Sequence, residues 1–480
     1  MSVGTRRGLA LLATALGLGV LGDVLFREGP LGLDVFIWTL GFVVALAALL
    51  FFLGAPLGHG RRWMVGPLLL FSALLAWRDS PWLQALDLFA IAVAVSLGAL
   101  REPAVRVHTA ALADYARAAG RAGSATLLGV LELVVDDVRW NEVQRTSRSQ
   151  SARPVARGVA LALPLLVLFG ALFAAADAVF QNLLQAALPD LSNSARHLVV
   201  VLSFAWASAG LLRGLLAPEE EPVPSDGQRK PVEWTLGRVE AVVVVGALDL
   251  LFLGFVLVQL RYLFGGRAHV LAQTGLTYAE YARRGFFELV VVAALVLPLL
   301  LLLDWSLRRE RPRKLLLFRI LAGVLVGLLA VVMVSALQRM RLYQREFGLT
   351  ELRVYTTGFM LWLALVAAWL CATVLRGRRR GFAVGALGSG FAAIVAVNAL
   401  NPDAVIARTN LDGPRVDADY LAGLSDDAVP TLVERLPSLS PALRAQIAAQ
   451  LASRPDRGGD WRTWNLSRSR AAEALERVSR

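Results

Sequence analysis

Apolar runs of about 20 residues, separated by short charged or proline-bearing gaps, recur along most of this chain. At 1.5 Å per residue a run of that length crosses the roughly 30 Å hydrocarbon core of a bilayer. In lipid no water satisfies backbone polar groups, so such a run folds as a helix that bonds to itself. Of the 480 residues, 56% are apolar and the mean hydropathy is +0.58. Soluble domains hold about 45–50% even with glycine counted. Eleven spans are expected, at 8–26, 31–54, 63–77, 82–100, 155–176, 197–217, 239–263, 285–304, 315–336, 354–375 and 382–400, the third being the shortest. The expected fold class is an all-α polytopic transmembrane helical bundle with a small C-terminal helical tail.

The net charge is +12, and only Lys230 and Lys314 are lysines. On a soluble protein this would point to nucleic acid. Here the arginines cluster in the gaps between runs, so the charge reads as membrane orientation and no nucleic-acid partner is expected. With the N-terminus cytoplasmic, most basic residues fall in inside gaps, including Arg6/Arg7, Arg61/Arg62, the stretch from Arg101 to Arg157, Arg308–Lys314 and Arg376–Arg380. An odd span number then places the C-terminus outside the cytoplasm. The upstream half of this assignment depends on the short third run. Arg6 and Arg7 resemble the charged start of a signal peptide, and no small-residue cleavage site follows cleanly, which favours a retained anchor. The single cysteine, Cys371, excludes an intrachain disulfide and a thiolate metal cluster.

Between residues 238 and 400 one hairpin pattern occurs twice. Gln259-Leu260-Arg261-Tyr262 is followed by Gly275-Leu276-Thr277 and Gly285-Phe286; Gln338 to Tyr343 is followed by Gly348-Leu349-Thr350 and Gly358-Phe359. Repeated hairpins build many transporters and channels, and their polar connections often carry function. The chain divides into a four-span region (1–100), a cytoplasmic segment with an interfacial amphipathic helix (101–154), a seven-span core with the tandem hairpins 238–304 and 315–375 (155–400), and an extracytoplasmic helical tail (401–480). In the tail, Ser425-Asp426 and Ser440-Pro441 are expected helix starts. Its Asp460–Asn465 run pairs two tryptophans with arginine and suits docking on the membrane surface or on the protein's own loops.

Ionisable residues inside spans are the first candidates for function, because each costs about 2.5–3.5 kcal/mol to insert. Asp249, Asp87 and Glu288 are such residues, read as an ion or proton relay or as structural hydrogen-bonding groups. At the outer boundary Arg261, Tyr262, Tyr281, Arg283, Arg284, Arg341, Tyr343 and Arg353 break the usual arginine bias. Guanidiniums beside phenols suit phosphate or carboxylate, so an anionic small molecule or lipid headgroup is one expected partner. Pairing with Glu280, Glu346 and Glu351 is the alternative. Gly17-Leu18-Gly19-Val20-Leu21-Gly22 spells a dinucleotide fingerprint, but it lies inside the first apolar run, where small residues serve helix packing. The same use is expected of Gly210–Gly214, Gly323–Gly327 and Gly381–Gly385. The four histidines have no metal-ligand spacing, and no cofactor, metal site or catalytic motif is expected.

The run Gly275-Leu276-Thr277-Tyr278-Ala279-Glu280-Tyr281-Ala282-Arg283-Arg284-Gly285-Phe286-Phe287-Glu288-Leu289 resembles the signature of a bacterial multi-pass membrane family catalogued only as a domain of unknown function. Gln259–Gly266, Gln338–Tyr343, Tyr355–Met360 and Asn398–Asp403 resemble it too, so the likeness covers roughly 155–425. The resemblance implies a bacterial inner-membrane location and supplies no activity. The expected function is a non-enzymatic transport or envelope-sensing module. A scaffold binding a protein partner through its tail is the alternative, and a lipid- or glycan-modifying enzyme the third reading.

Overall fold

A computed structural model describes residues 2–26, 29–56, 58–100, 107, 110, 112–138, 142, 192–216, 238–264, 286–307, 315–379, 381–413, 416–454 and 460–479. Among these the chain is all-α, with sixteen α-helices and no strand. Nine helices are long and apolar enough to cross a membrane. The expected run at 63–77 is a 17-residue helix, His59–Leu75, with Pro67 inside it, and it is not one of the nine. The run expected at 155–176 lies outside the described residues.

The helices build two bundles. The first holds α1 (Val3–Leu25), α2 (Leu33–Phe52), α3 (His59–Leu75), α4 (Pro81–Gly98), α5 (Leu112–Glu132) and α6 (Ser192–Leu216). Leu11, Phe42, Leu46, Met64, Leu97, Leu133 and Leu212 form its buried core. The glycines of the first apolar run serve the packing of α1 on α6: a Cβ at Gly19 would lie 2.4 Å from the Val201 carbonyl oxygen. α5 crosses α6 as closely, since a Cβ at Gly210 would lie 2.1 Å from the Ala125 oxygen. It turns Val130 inward and leaves Leu127 and Leu128 exposed. Gly323 and Gly327 differ from expectation, having nothing within 4 Å of a built Cβ.

The second bundle holds α7 (Arg238–Phe264), α8 (Phe286–Ser306), α9 (Leu316–Phe347) and α10 (Glu351–Ala372), packed around Val245, Leu300, Phe318, Leu325, Leu329 and Leu363. Away from these cores Leu250, Leu251, Leu257, Leu295, Leu316 and Leu361 are exposed, a surface suited to lipid and not to water. α11 (Phe382–Leu400) joins the two bundles. Its Phe391 ring lies 5.0 Å from Phe71 of α3, and its Ser389 accepts a hydrogen bond from Trp362 of α10 at 3.2 Å.

The tail follows at once. Asn401 adopts the left-handed region (φ +53°) and its side chain accepts from the Ala404 amide, with Pro402 as first helical residue. Asparagine tolerates this conformation better than most residues, which makes a sharp corner between α11 and α12 (Pro402–Leu411). α13 (Ala418–Gly423), α14 (Val429–Arg435), α15 (Pro441–Ala452) and α16 (Leu466–Ser479) complete it. Ile406, Leu421, Leu432, Ile447 and Leu451 form its core, and Leu349 and Val354 of the α9–α10 hairpin pack against that core. At 32 residues α9 is about 48 Å long, more than the hydrocarbon needs. Its last turns reach out to the tail, where Asn410 bonds both the amide (2.7 Å) and the carbonyl (2.8 Å) of Leu349.

Candidate functional site

The polar groups that the fold buries together lie where the tail meets the loops of both bundles. Asp427, 4% exposed, is at the centre. Its carboxylate accepts from the backbone amides of Asp79 (2.8 Å) and Ser80 (2.9 Å), from Arg78 Nη1 (3.2 Å) and from the Ser467 hydroxyl. The α3–α4 loop and α16 are thereby tied to one side chain of the α13–α14 loop. Arg78 also donates through Nε to the Asn398 carbonyl at 2.8 Å and lies over the Trp77 ring. Arg468 pairs with Asp79 at 2.6 Å and donates to the Leu31 carbonyl at 2.9 Å, reaching the α1–α2 connection. Asn465 donates to the carbonyls of Leu75 and Arg78, both at 2.9 Å. Gly32 permits the closest approach, since a Cβ there would meet the Trp464 oxygen at 2.6 Å.

The second bundle enters from the α10 side. Tyr355 shares a 3.3 Å hydrogen bond with Ser80 and packs by Trp82, and the Glu351 amide donates to the Tyr420 hydroxyl at 3.0 Å. Behind Asp427 sits Asp403, wholly buried on α12. Its Oδ2 accepts from the Ser425 hydroxyl and from the Ser425 amide at 3.3 Å; its Oδ1 has no hydrogen-bond partner among the described residues. Burial pushes the Asp403 carboxyl above the ordinary aspartate range, with Asp427 and Asp79 adding to the shift against the Ser425 bonds. Ser425 was an expected helix start, but its hydroxyl serves Asp403 instead, and α14 begins after Ala428 without a side-chain cap. A cavity of about 370 Å³ opens beside this cluster, lined in part by Trp82, Glu351, Asp426 and Arg454.

The intramembrane candidates are separate from one another. Asp87 of α4 is fully buried and accepts from Asn398 Nδ2 of α11 at 3.0 Å, which connects it through residue 398 to Arg78. Asp249 lies on the face of α7 that carries Val245, Phe252 and Val256 into the second bundle. It is 8% exposed, and neither carboxylate oxygen has a hydrogen-bond partner among the described residues. The side chains of Glu288, Arg261 and Tyr262, and the whole of Tyr281, Arg283 and Arg284, lie outside the described residues. Arg341 is exposed on α9. Arg353 lies 4.1 Å over the Tyr343 ring and donates to the carbonyls of Phe347 and Gly348. That pair therefore closes the α9–α10 turn. The first hairpin's connection is outside the described residues, so the tandem likeness is seen in its second copy alone.

No grouping of His, Cys, Asp and Glu that could hold a metal ion occurs among the described residues. Sequence reading misses Asn465, Ser467 and Arg468 as site residues, because they lie more than 380 positions from the α3–α4 loop residues that they bond. Nine apolar helices among the described residues, lipid-suited outer faces and a tail bonded to their connections define a multi-pass integral membrane protein set in a lipid bilayer. The family model for DUF4153, a domain of unknown function, matches residues 65–435. The chain belongs to that family, and the matched segment contains Arg78, Asp79, Asp87, Asn398, Asp403 and Asp427. No curated protein and no solved structure matches the chain.

Proposed function

We propose that this protein is a non-enzymatic transport or envelope-sensing module of a bacterial inner membrane, in which the C-terminal helical domain latches two helix bundles together. One observation carries the reading: Asp427 of the tail bonds the α3–α4 loop of the first bundle, while the same tail is bonded to the α9–α10 hairpin of the second. A domain bonded to both bundles at one membrane face couples their relative position to whatever acts on it. The arginine distribution favours placing that face outside the cytoplasm. Asp249 is the intramembrane group of this module, since an acid with no hydrogen-bond partner among the described residues of an apolar bundle costs stability that function would justify. Of the outer arginines and tyrosines, the exposed Arg341 is the one we assign to anionic lipid headgroups or a small anion.

The test reconstitutes the full chain into vesicles and follows proton and small-ion gradients. Asp249→Asn is expected to abolish flux while the protein stays folded; flux equal to wild type removes Asp249 from the mechanism. If the wild type dissipates no gradient, transport is refuted. Sensing then requires that vesicles with anionic lipid alter amide exchange at the latch, and no change there refutes it too.

A further inference from the structure

Among the described residues the junction buries four carboxylates and two guanidiniums. Asp34, 3% exposed, is held by the Gly32 and Val35 amides. Asp79, Asp403 and Asp427 are 5%, 0% and 4% exposed, and Arg78 and Arg468 are each 7% exposed. Both guanidiniums are committed, Arg78 to Asp427 and Arg468 to Asp79. Asp34 faces Arg468, so Asp403 is the member with no guanidinium of its own. A carboxylate buried beside others is costly unless it is neutralised, and one of its oxygens has no hydrogen-bond partner among the described residues.

No guanidinium pairs with it among the described residues: Arg78 is bonded to Asp427, Arg353 of α10 to the carbonyls of Phe347 and Gly348, and Arg454 to Asp426 and the carbonyls of Ala422 and Leu424. Glu351 and Tyr355 approach from α10, Tyr420 from α13, Asp79 from the α3–α4 loop, and Asp427 with Ser425 from the α13–α14 loop. α11 carries no ionisable residue. On α12 itself Arg408 is exposed, and on α14 Arg435 is paired with Asp412. We propose that Asp403 is a proton-binding site, and that its proton holds the latch closed. Loss of that proton to water leaves a further buried negative charge that no guanidinium pairs, and favours undocking of the tail. This inference rests on the latch reading and adds its regulation by the pH on the tail's side of the membrane.

The sign follows from linkage. In the undocked tail Asp403 meets water and titrates near the ordinary value of 3.8, whereas in the docked tail it is raised. The closed latch therefore binds the proton more tightly. Its contribution is complete in acid below the undocked value and is lost as pH rises through the docked one.

The experiment measures hydrogen exchange at the Leu466 and Leu33 amides, which bond the Ala76 and Trp464 carbonyls across the junction. The full chain in lipid nanodiscs is followed from about pH 5 to about pH 8, with intrinsic exchange corrected. Wild-type protection is expected to fall with rising pH, approaching tenfold per unit for one linked proton. Asp403→Asn is expected to stay protected across the range, because an amide cannot acquire the charge. If it keeps the wild-type slope, or if the wild type is flat, the proposal is wrong. Ser425→Ala supplies a second test: removing a donor to the ionised carboxyl moves the transition to higher pH, and an unmoved transition also overturns it. Asp427→Ala separates the two readings. If it leaves the amides protected, the latch itself is refuted; if it exposes them at every pH while Asp403→Asn behaves as wild type, the proton site alone fails.

Discussion

Replacing Asp427 by alanine perturbs the junction most directly, and its size can be reasoned from the bonds that disappear. The side chain is buried and accepts from Arg78, from the amides of Asp79 and Ser80 and from Ser467. Removing one partner of a buried ion pair costs about 3–5 kcal/mol, because the other charge stays buried. Each stranded amide would cost about 1–3 kcal/mol if it could not rehydrate. These penalties overlap, since an opened tail lets water reach all of the groups at once, so the ion-pair figure is the better guide to docking. Arg78 also keeps its bond to the Asn398 carbonyl, which argues for the lower end. At 1.4 kcal/mol per factor of ten, about 3–4 kcal/mol shifts the docking equilibrium by about 10²–10³. Exchange at the Leu466 and Leu33 amides should accelerate by that factor in nanodiscs, with helix content in the membrane part unchanged. Asp427→Asn retains one acceptor oxygen and should fall between wild type and alanine. Asp412→Ala is the control, because it removes only a solvent-facing pair with Arg435 worth about 1 kcal/mol or less. If Asp427→Ala changes protection no more than Asp412→Ala does, the tail is held by its apolar contacts and the latch argument is wrong.

Asp249→Leu should raise the thermal midpoint, since it removes a carboxyl whose burial in the second bundle no hydrogen bond offsets; a lower midpoint would reveal a partner outside the described residues. Gly210→Ala should destabilise the first bundle by about 1–3 kcal/mol through its clash with the Ala125 backbone, whereas Gly323→Ala, with open space around it, should be neutral or stabilising in the same melt. Asn410→Ala deletes both bonds to Leu349 and should speed exchange of the Leu349 amide by about tenfold, with little effect at Leu466 if the two docking contacts are independent.

Much of the architecture is legible in the chain because lipid imposes a local rule. A run such as Leu33–Phe52 must satisfy its backbone internally, so length and composition suffice to place a helix there. Pro441 after Ser440 and Pro402 after Asn401 mark helix starts for equally local reasons. α3 was harder, because Pro67 and a polar first turn dilute a segment that neighbours nevertheless hold as a helix. Asp87 stands out in sequence as an acid in an apolar run, while its partner Asn398, 311 positions away, does not identify itself.

The sequence by itself determined that this is a helical membrane protein with a polar, helical tail, because hydrocarbon burial and backbone satisfaction depend on neighbours in the chain. Only the tertiary structure decided that Arg78, Asp79, Asp403, Asp427 and Arg468 form one buried cluster. Taken singly, each reads as an ordinary charged residue in a gap or a tail. Their pairing depends on where four separated segments meet in space, and the unequal count of acids and bases appears only once those segments are packed together.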